Sequence, residues 1–359
     1  MKIKAAIVGS GFAADIHADG YEKCSLRSPT ASPYGIDAEI VAVTSPTETH
    51  VKSFADRFGI TDYYTDYNEM LKRDDIDIVS VCVPNYLHHD VSVAVASAGK
   101  NIVCEKPLAV TLEEADNMIR VAEQHGVKLF YAENWLFAPA MVRVAEIVKS
   151  GAIGDVLYFK AKEAHGGSHS QYALKKKYCG GGCLIHMAIH PIGYGLALKE
   201  GVKPARVYAE TSGGGENNIL HPHCEGEDFS VLIIDFEDGT RGLIDANYIT
   251  KGGLDDIVEI YGSKGTIKAD FSKGSPIKVF SLEGYDYAVE KAEMTTGWTF
   301  PTPDEKWSLG YPNEIAHFVE CLIENKEPIF GSDGKGGRDA LQIVMAGYES
   351  AQMGKAVML

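Results

Sequence analysis

The chain has 359 residues, 45% of them hydrophobic, which is enough for more than one large core and favours two domains over one. Its 34 Lys and Arg stand against 50 Asp and Glu, and the net charge of -16 opposes any general attraction to nucleic-acid phosphates or anionic membranes. The seven cysteines are odd in number and lack paired short spacings, which argues against a zinc ribbon or a secreted disulfide scaffold. Reduced thiols in a cytoplasmic protein with a small-molecule partner, and with neither nucleic acid nor membrane, are the expectation.

The opening residues contain an apolar run, but it is short and breaks into glycines, so it reads as a first strand and not as a signal peptide. Ile3 to Val8 is that strand, and Phe12 to Lys23 follows as a helix. A Pro/Ser-rich insertion, Ser25 to Gly35, delays the second strand, Glu39 to Val43, which leads into a helix over Thr47 to Phe58. Strand Ile76 to Val83, helix His88 to Ala98, strand Asn101 to Cys104, helix Thr111 to His125 and strand Lys128 to Ala132 continue the alternation. Such alternation predicts a parallel, doubly wound α/β sheet of the Rossmann type over residues 1–132.

After Pro139 the pattern changes. Beyond a helix at Met141 to Lys149 come strand-like segments at Val156 to Ala164, Arg206 to Thr211, Phe229 to Phe236, Gly242 to Tyr248, Ile257 to Tyr261 and Thr266 to Ala269. The turns Glu237 to Thr240 and Gly262 to Gly265 are hairpin connectors, so residues 133–359 are expected to form an α+β domain on a large, mostly antiparallel open sheet. Helices at Asn313 to Glu324 and Lys335 to Met353 close the chain, the last able to pack back on the first domain.

Gly9, Gly11 and Ala14 form a GxGxxA turn directly after a strand and at the start of a helix. In that context Gly9 makes the turn, Gly11 admits a pyrophosphate and Ala14 permits close helix packing, while Phe12 and Ala13 place helix amides toward the phosphates. The second strand ends in Thr44, Ser45 and Pro46, without the acid that usually binds the ribose hydroxyls. Lys52 and Arg57 lie on the next helix. NAD is the expected cofactor, with NADP as the alternative.

At the end of the fifth strand stands Cys104-Glu105-Lys106-Pro107, preceded by Cys82-Val83-Pro84-Asn85-Tyr86-Leu87-His88. With these motifs the chain resembles the Gfo/Idh/MocA oxidoreductase family. The resemblance implies that Lys106 hydrogen-bonds the reacting hydroxyl, that Glu105 orders the ribose side, and that Val83, Pro84, Asn85, His88 and Asn134 lie near the cofactor. The run Gly180-Gly181-Gly182 to His190 resembles the family's glycine triplet, so its catalytic histidine falls on His190 and its usual acid on His186. That substitution implies a differently organised proton transfer, because an imidazole does not charge-balance His190 as a carboxylate would. Trp135 and Leu136 replace arginines common in the family, and the resemblance extends over nearly the whole chain.

His186 and His190 are four residues apart and are predicted to share one helical face. With Glu163, His165, His169, His221 or His223 they could form a zinc site, but no tight ligand cluster is evident and no metal is expected. Glu133, Trp135, His165, His169, Tyr172, His186, His190 and Trp307 are the expected substrate contacts, and Tyr172, Trp307 and Tyr311 could stack on a sugar. This lining suits a polyol or sugar better than an apolar alcohol. The expected reaction is oxidation of a ring secondary alcohol of a sugar, glycoside or polyol, with the C3 hydroxyl of a glycoside favoured. The alternatives are an inositol or aldose dehydrogenase, a redox-neutral glycoside-cleaving enzyme that retains NAD, and a nucleotide-sensing protein without catalysis. A homo-dimer or homo-tetramer pairing across the open sheet is implied by the resemblance.

Overall fold

The computed structural model describes residues 2–24, 37–168, 170–275, 277–285 and 295–359. The Ser25 to Gly35 insertion and His169 lie outside the described residues. The chain divides into two units, Met1–Asn134 with Gly310–Arg338, and Trp135–Leu309 with Asp339–Leu359.

In the first unit, β1 (Lys2–Val8), α1 (Phe12–Cys24), β2 (Asp37–Thr44), α2 (Glu48–Phe58), β3 (Tyr63–Tyr64), α3 (Tyr67–Met70), β4 (Ile78–Val81), α4 (His88–Ser97), β5 (Asn101–Glu105), α5 (Leu112–His125) and β6 (Leu129–Ala132) follow in order. The six strands lie in the order β3-β2-β1-β4-β5-β6, every neighbouring pair parallel. A sheet covered on both faces needs strands that are apolar throughout, and β4 and β6 are buried at every position. The strand order reverses direction between β1 and β4, where folds of this kind bind ligands outside the carboxyl ends of the strands. Thr111 caps α5 by accepting the Glu114 amide at 3.2 Å. The helix Tyr311–Ile323 packs on α1, where a Cβ at Gly20 would stand 2.7 Å from Ile315. Two differences from the sequence reading have local causes. β3 is a two-residue edge pairing, too short to show a period, and β4 ends before Pro84, which has no amide to continue a ladder.

The second unit contains α6 (Pro139–Lys149), β7 (Val156–Ala164), α7 (Lys176–Cys179), α8 (Cys183–His186), α9 (Ile189–Leu198), β8 (Pro204–Thr211), β9 (Phe229–Phe236), β10 (Arg241–Asn247), β11 (Ile257–Gly262), β12 (Thr266–Asp270), a small hairpin of β13 (Val279–Ser281) with β14 (Gly297–Thr299), α10 (Glu305–Ser308) and the C-terminal β15 (Val357–Met358). The large sheet runs β12-β11-β7-β10-β9-β8-β15. Its pairings are antiparallel except that of β7 with β10. Alternation along β7 turns Phe159, Ala161 and Glu163 inward, and Phe159 lies close under Gly195 of α9. The other face carries stacked Tyr158 and Tyr261 and the cross-strand pair Leu243 and Ile233, with Arg206 and Arg241 flanking Asp235.

The predicted single helix carrying both His186 and His190 is corrected by the structure. α8 ends at His186 and α9 starts at Ile189, with 47° between the stretch Lys176–His186 and α9. Pro191 explains the break, since it offers no N–H to the Met187 carbonyl and its ring would crowd that oxygen in a continuous helix. The Ala188 amide reaches back five residues to Cys183 O at 3.0 Å, widening the turn. The two histidines therefore lie on separate helices. Among the described residues no single helix is long and apolar enough to cross a membrane.

Candidate active site

In the first unit the glycine turn has the geometry a dinucleotide requires. Gly9 has φ +126°, and a Cβ there would stand 2.1 Å from the Cys82 carbonyl oxygen, so only glycine fits. Its amide donates to Thr44 O at 2.8 Å, tying β1 to the end of β2. A Cβ at Gly11 meets nothing within 4 Å, which leaves room for a phosphate against the start of α1. Ala14 is fully buried, Ala13 half-buried and Phe12 exposed. Thr44 and Ser45 are buried at the end of β2, and the Ser10 hydroxyl donates to Ser45 at 2.9 Å. Arg57 pairs with Asp15 of α1 and lies over the Phe54 and Phe58 rings. These residues fit a bound dinucleotide.

Glu105 and Lys106 sit where β5 ends, half-buried, and the Glu105 carboxylate accepts the Lys106 amide at 3.0 Å. The sequence reading missed the side chain behind Glu105. His17 of α1, fully buried, donates from Nε2 to Glu105 at 3.1 Å, which leaves Nδ1 to accept the Ser80 hydroxyl at 2.8 Å. Tyr21 in turn bonds Ser80 at 2.9 Å. Burial alone would push the Glu105 carboxyl up, but the hydrogen bond from His17 and the positive charge of Lys106 bring it below its ordinary value.

His88 is turned inward, with Nδ1 2.7 Å from Pro107 O and Nε2 3.0 Å from Val83 O. It thus joins the loop after β4 to the turn holding Lys106, and burial lowers its ring below the usual histidine range. Val83, Pro84 and Asn85 are half-buried in that loop, whereas Glu133 and Asn134 are buried after β6. Glu314, 1% exposed, carries a carboxyl raised well above its ordinary value by burial and by the nearby charges of Glu105 and Glu133.

In the second unit five of the predicted residues converge. The Trp135 ring is parallel to the His190 ring, 11° between planes and 6.1 Å between centroids. Glu163 Oε2 lies 4.0 Å from His190 Nε2, both side chains nearly enclosed. His165 and His186 flank one further ring, Tyr248, with centroids at 5.2 and 6.5 Å. Tyr248 was not predicted. It is 4% exposed, and its hydroxyl has no hydrogen-bond partner among the described residues. Tyr172 is exposed and packs edge-on against Tyr178 instead of joining this cluster, and Trp307 is half-exposed on α10. Among the described residues no three His, Cys, Asp or Glu side chains are arranged to hold a metal. His221 is engaged elsewhere, donating to Tyr248 O at 2.8 Å.

The glycine triplet before α8 is a packing requirement. A Cβ at Gly181 would stand 1.9 Å from the Tyr348 hydroxyl, and one at Gly182 would stand 2.1 Å from Glu227 O. Buried Glu227 accepts the Gly182 and Leu184 amides at 3.1 and 2.9 Å and the Tyr348 hydroxyl at 2.8 Å, fixing the start of α8.

Comparison with known proteins bears on both units. The model of the Gfo/Idh/MocA oxidoreductase family with an NAD-binding Rossmann fold matches residues 3–133, and the model of that family's C-terminal alpha/beta domain matches residues 145–359. The chain belongs to the Gfo/Idh/MocA oxidoreductase family. Levoglucosan dehydrogenase of Pseudarthrobacter phenanthrenivorans is 26% identical, the match covering 93% of this chain and 90% of that one. D-apiose dehydrogenase of Paraburkholderia graminis is 25% identical, covering 100% and 90%. The crystal structure of GenD2 from gentamicin A biosynthesis, in complex with NAD, superposes with a TM-score of 0.89 at 24% identity, covering 100% of this chain and 96% of that one, and shares the fold. The protein is thus an oxidoreductase with NAD as its cofactor.

Proposed function

We propose that this enzyme oxidises a ring secondary alcohol of a sugar, glycoside or polyol, with the C3 hydroxyl of a glycoside as the favoured position. The observation that carries the reading is the enclosed cluster of Trp135, Glu163, His165, His186, His190 and Tyr248. Buried groups able to give and take hydrogen bonds select a ligand with several hydroxyls, because an apolar alcohol would leave them unsatisfied. Relatives named for levoglucosan and apiose support the same substrate class. NAD, when bound, supplies the hydride acceptor. On this reading the Lys106 cation stabilises the reacting oxygen as charge develops on it, and the His190 ring accepts the hydroxyl proton. Glu105, held ionised by His17, orders the ribose side, and Thr44 and Ser45 meet the adenosine end.

The test is a panel of sugars, glycosides and inositols assayed with NAD and NADP separately by absorbance of the reduced cofactor. Oxidation of at least one cyclic polyol or sugar with NAD is expected. Release of an aglycone without net reduced cofactor would instead make the enzyme a redox-neutral glycoside-cleaving one, and silence across the whole panel would defeat the substrate reading. The seven cysteines are all unbridged and buried, which supports a reducing, cytoplasmic setting. The open sheet face with Tyr158, Tyr261, Leu243 and Ile233 supports pairing with a second copy, and light scattering at a single chain mass would refute that.

A further inference from the structure

We infer that Glu163 is the acid partner of His190, replacing from a β-strand the carboxylate that the position of His186 lacks. The inference rests on the proposed role of His190 as proton acceptor. Glu163 stands near the end of β7, turned inward by the alternation that also buries Phe159 and Ala161, while His190 stands in the first turn of α9. The sheet and helix thereby bring together groups 27 positions apart in the sequence. Their 4.0 Å separation is that of an ion pair and exceeds a hydrogen bond, so Glu163 acts on the ring through charge. Their enclosure, with side chains 11% and 6% exposed, keeps water from screening that charge.

When the reacting hydroxyl gives its proton to the His190 ring, the ring becomes an imidazolium, and the carbon's hydride leaves with its electron pair to NAD. A carboxylate at 4.0 Å lowers the energy of that cation, and the parallel face of Trp135 adds to the effect. The remaining groups of the cluster cannot do so. His165 and His186 carry no negative charge, and burial keeps the Tyr248 phenol protonated, its ionisation pushed well above the ordinary range with the Glu163 charge a smaller contributor. Among the described side chains of the cluster, Glu163 alone can supply an anion. Glu163 is thus a positioning and charge-balancing residue, and its removal should move the titration of His190 as well as the rate.

The experiment uses the full-length protein labelled at histidine Cε1, with the His190 resonance assigned by its loss in His190→Asn. In Glu163→Gln the His190 midpoint is expected to fall by about one pH unit or more, because an opposite charge at this range favours the charged ring. The acid limb of the kcat/KM profile should fall with it. Turnover is expected to drop roughly 10- to 100-fold with NAD affinity unchanged, the loss typical of an outer partner of a working histidine. Glu163→Asp should keep most of the shift, and adding His186→Asp to Glu163→Gln should recover turnover by returning a carboxylate to the cluster. An unmoved His190 midpoint in a folded Glu163→Gln protein overturns the inference. Should Glu163→Gln fail to fold, a His190 midpoint in Glu163→Ala unmoved from wild type overturns it equally. The titration needs no substrate, so failure of the sugar panel with a shifted midpoint would refute the proposed reaction and leave the pair standing.

Discussion

Glu314 offers the most quantitative test of the electrostatics beneath Glu105. Its carboxyl is 1% exposed, Oε1 has no hydrogen-bond partner among the described residues, and Glu105 and Glu133 bear on it with like charge. Three carboxylates in such a setting cannot all ionise, and the one with His17 as donor and Lys106 beside it keeps the charge. Glu314 is therefore the protonated member. Its folded value lies well above the roughly 4.3 of the unfolded chain, so the folded state holds a proton that the unfolded state releases. The stabilisation linked to that proton is complete below about pH 4 and is lost as pH rises toward the folded value. Between the unfolded and folded values the slope is about 1.4 kcal/mol per pH unit. Glu314→Gln keeps the shape and removes the proton equilibrium. The variant should gain on wild type at that rate as pH rises from the unfolded toward the folded value, roughly 3 to 6 °C in Tm per pH unit for a unit of this size. Glu105, with its depressed value, contributes only on the acid side, and His88 titrates alike in both proteins, so neither enters the difference. All three tryptophans belong to the second unit, so unfolding should be followed by far-ultraviolet circular dichroism and not by tryptophan emission. Parallel Tm curves for the two proteins all the way from about pH 4 to 8 would refute the assignment of the proton to Glu314.

Three further substitutions separate chemistry from cofactor binding. Lys106→Ala should lower turnover on the order of a thousandfold, the usual cost of removing a group that stabilises a developing oxyanion, while NAD titrated by fluorescence binds within a few-fold of wild type. Activity within a few-fold of wild type would remove Lys106 from the mechanism. Gly9→Ala places a methyl 2.1 Å from the Cys82 carbonyl on a backbone at φ +126°, so β1 and the β4 loop must separate. A loss of about 2 kcal/mol or more and of measurable NAD binding is expected, whereas Gly11→Ala, whose Cβ meets nothing within 4 Å, should keep the fold and lose affinity alone. Equal Tm for the two alanine variants would contradict this account of the turn.

How much of this was legible in the sequence depends on how far apart the cooperating residues lie along the chain. The doubly wound sheet was readable because each βα step is local, with an apolar run, a glycine or proline, and then a helix period. The hairpins at Gly239 and Gly262 to Gly265 were readable for the same reason, and β11 and β12 pair as their turn requires. The break between α8 and α9 carried its signal in Pro191, yet the i, i+4 spacing of His186 and His190 suggested a continuous helix, and the proline prevailed because its missing N–H cannot be replaced. His17 could have been suspected only by noticing that a histidine on the buried face of α1 needs a partner, since Glu105 lies 88 positions away. Glu314, which the Gly310–Arg338 segment returns to the first unit far along the chain from Glu105 and Glu133, left no local trace at all.

Glu163 is the instructive intermediate case. In Val156–Ala164 the inward positions of β7 read Phe159, Ala161, Glu163, an acid on the apolar side of a strand, where an unpaired carboxylate would be costly. Taken alone, that pattern says that a cation or a proton donor must be waiting. Taken with the proposed proton acceptor His190, whose expected acid has become His186, it says which one. The missing carboxylate and the misplaced carboxylate are two halves of one observation, because the charge a proton-accepting histidine needs can come from any element that reaches it. On the proposed pairing that charge comes from the Glu163 carboxyl, 4.0 Å from the ring, on the sheet and not on the helix.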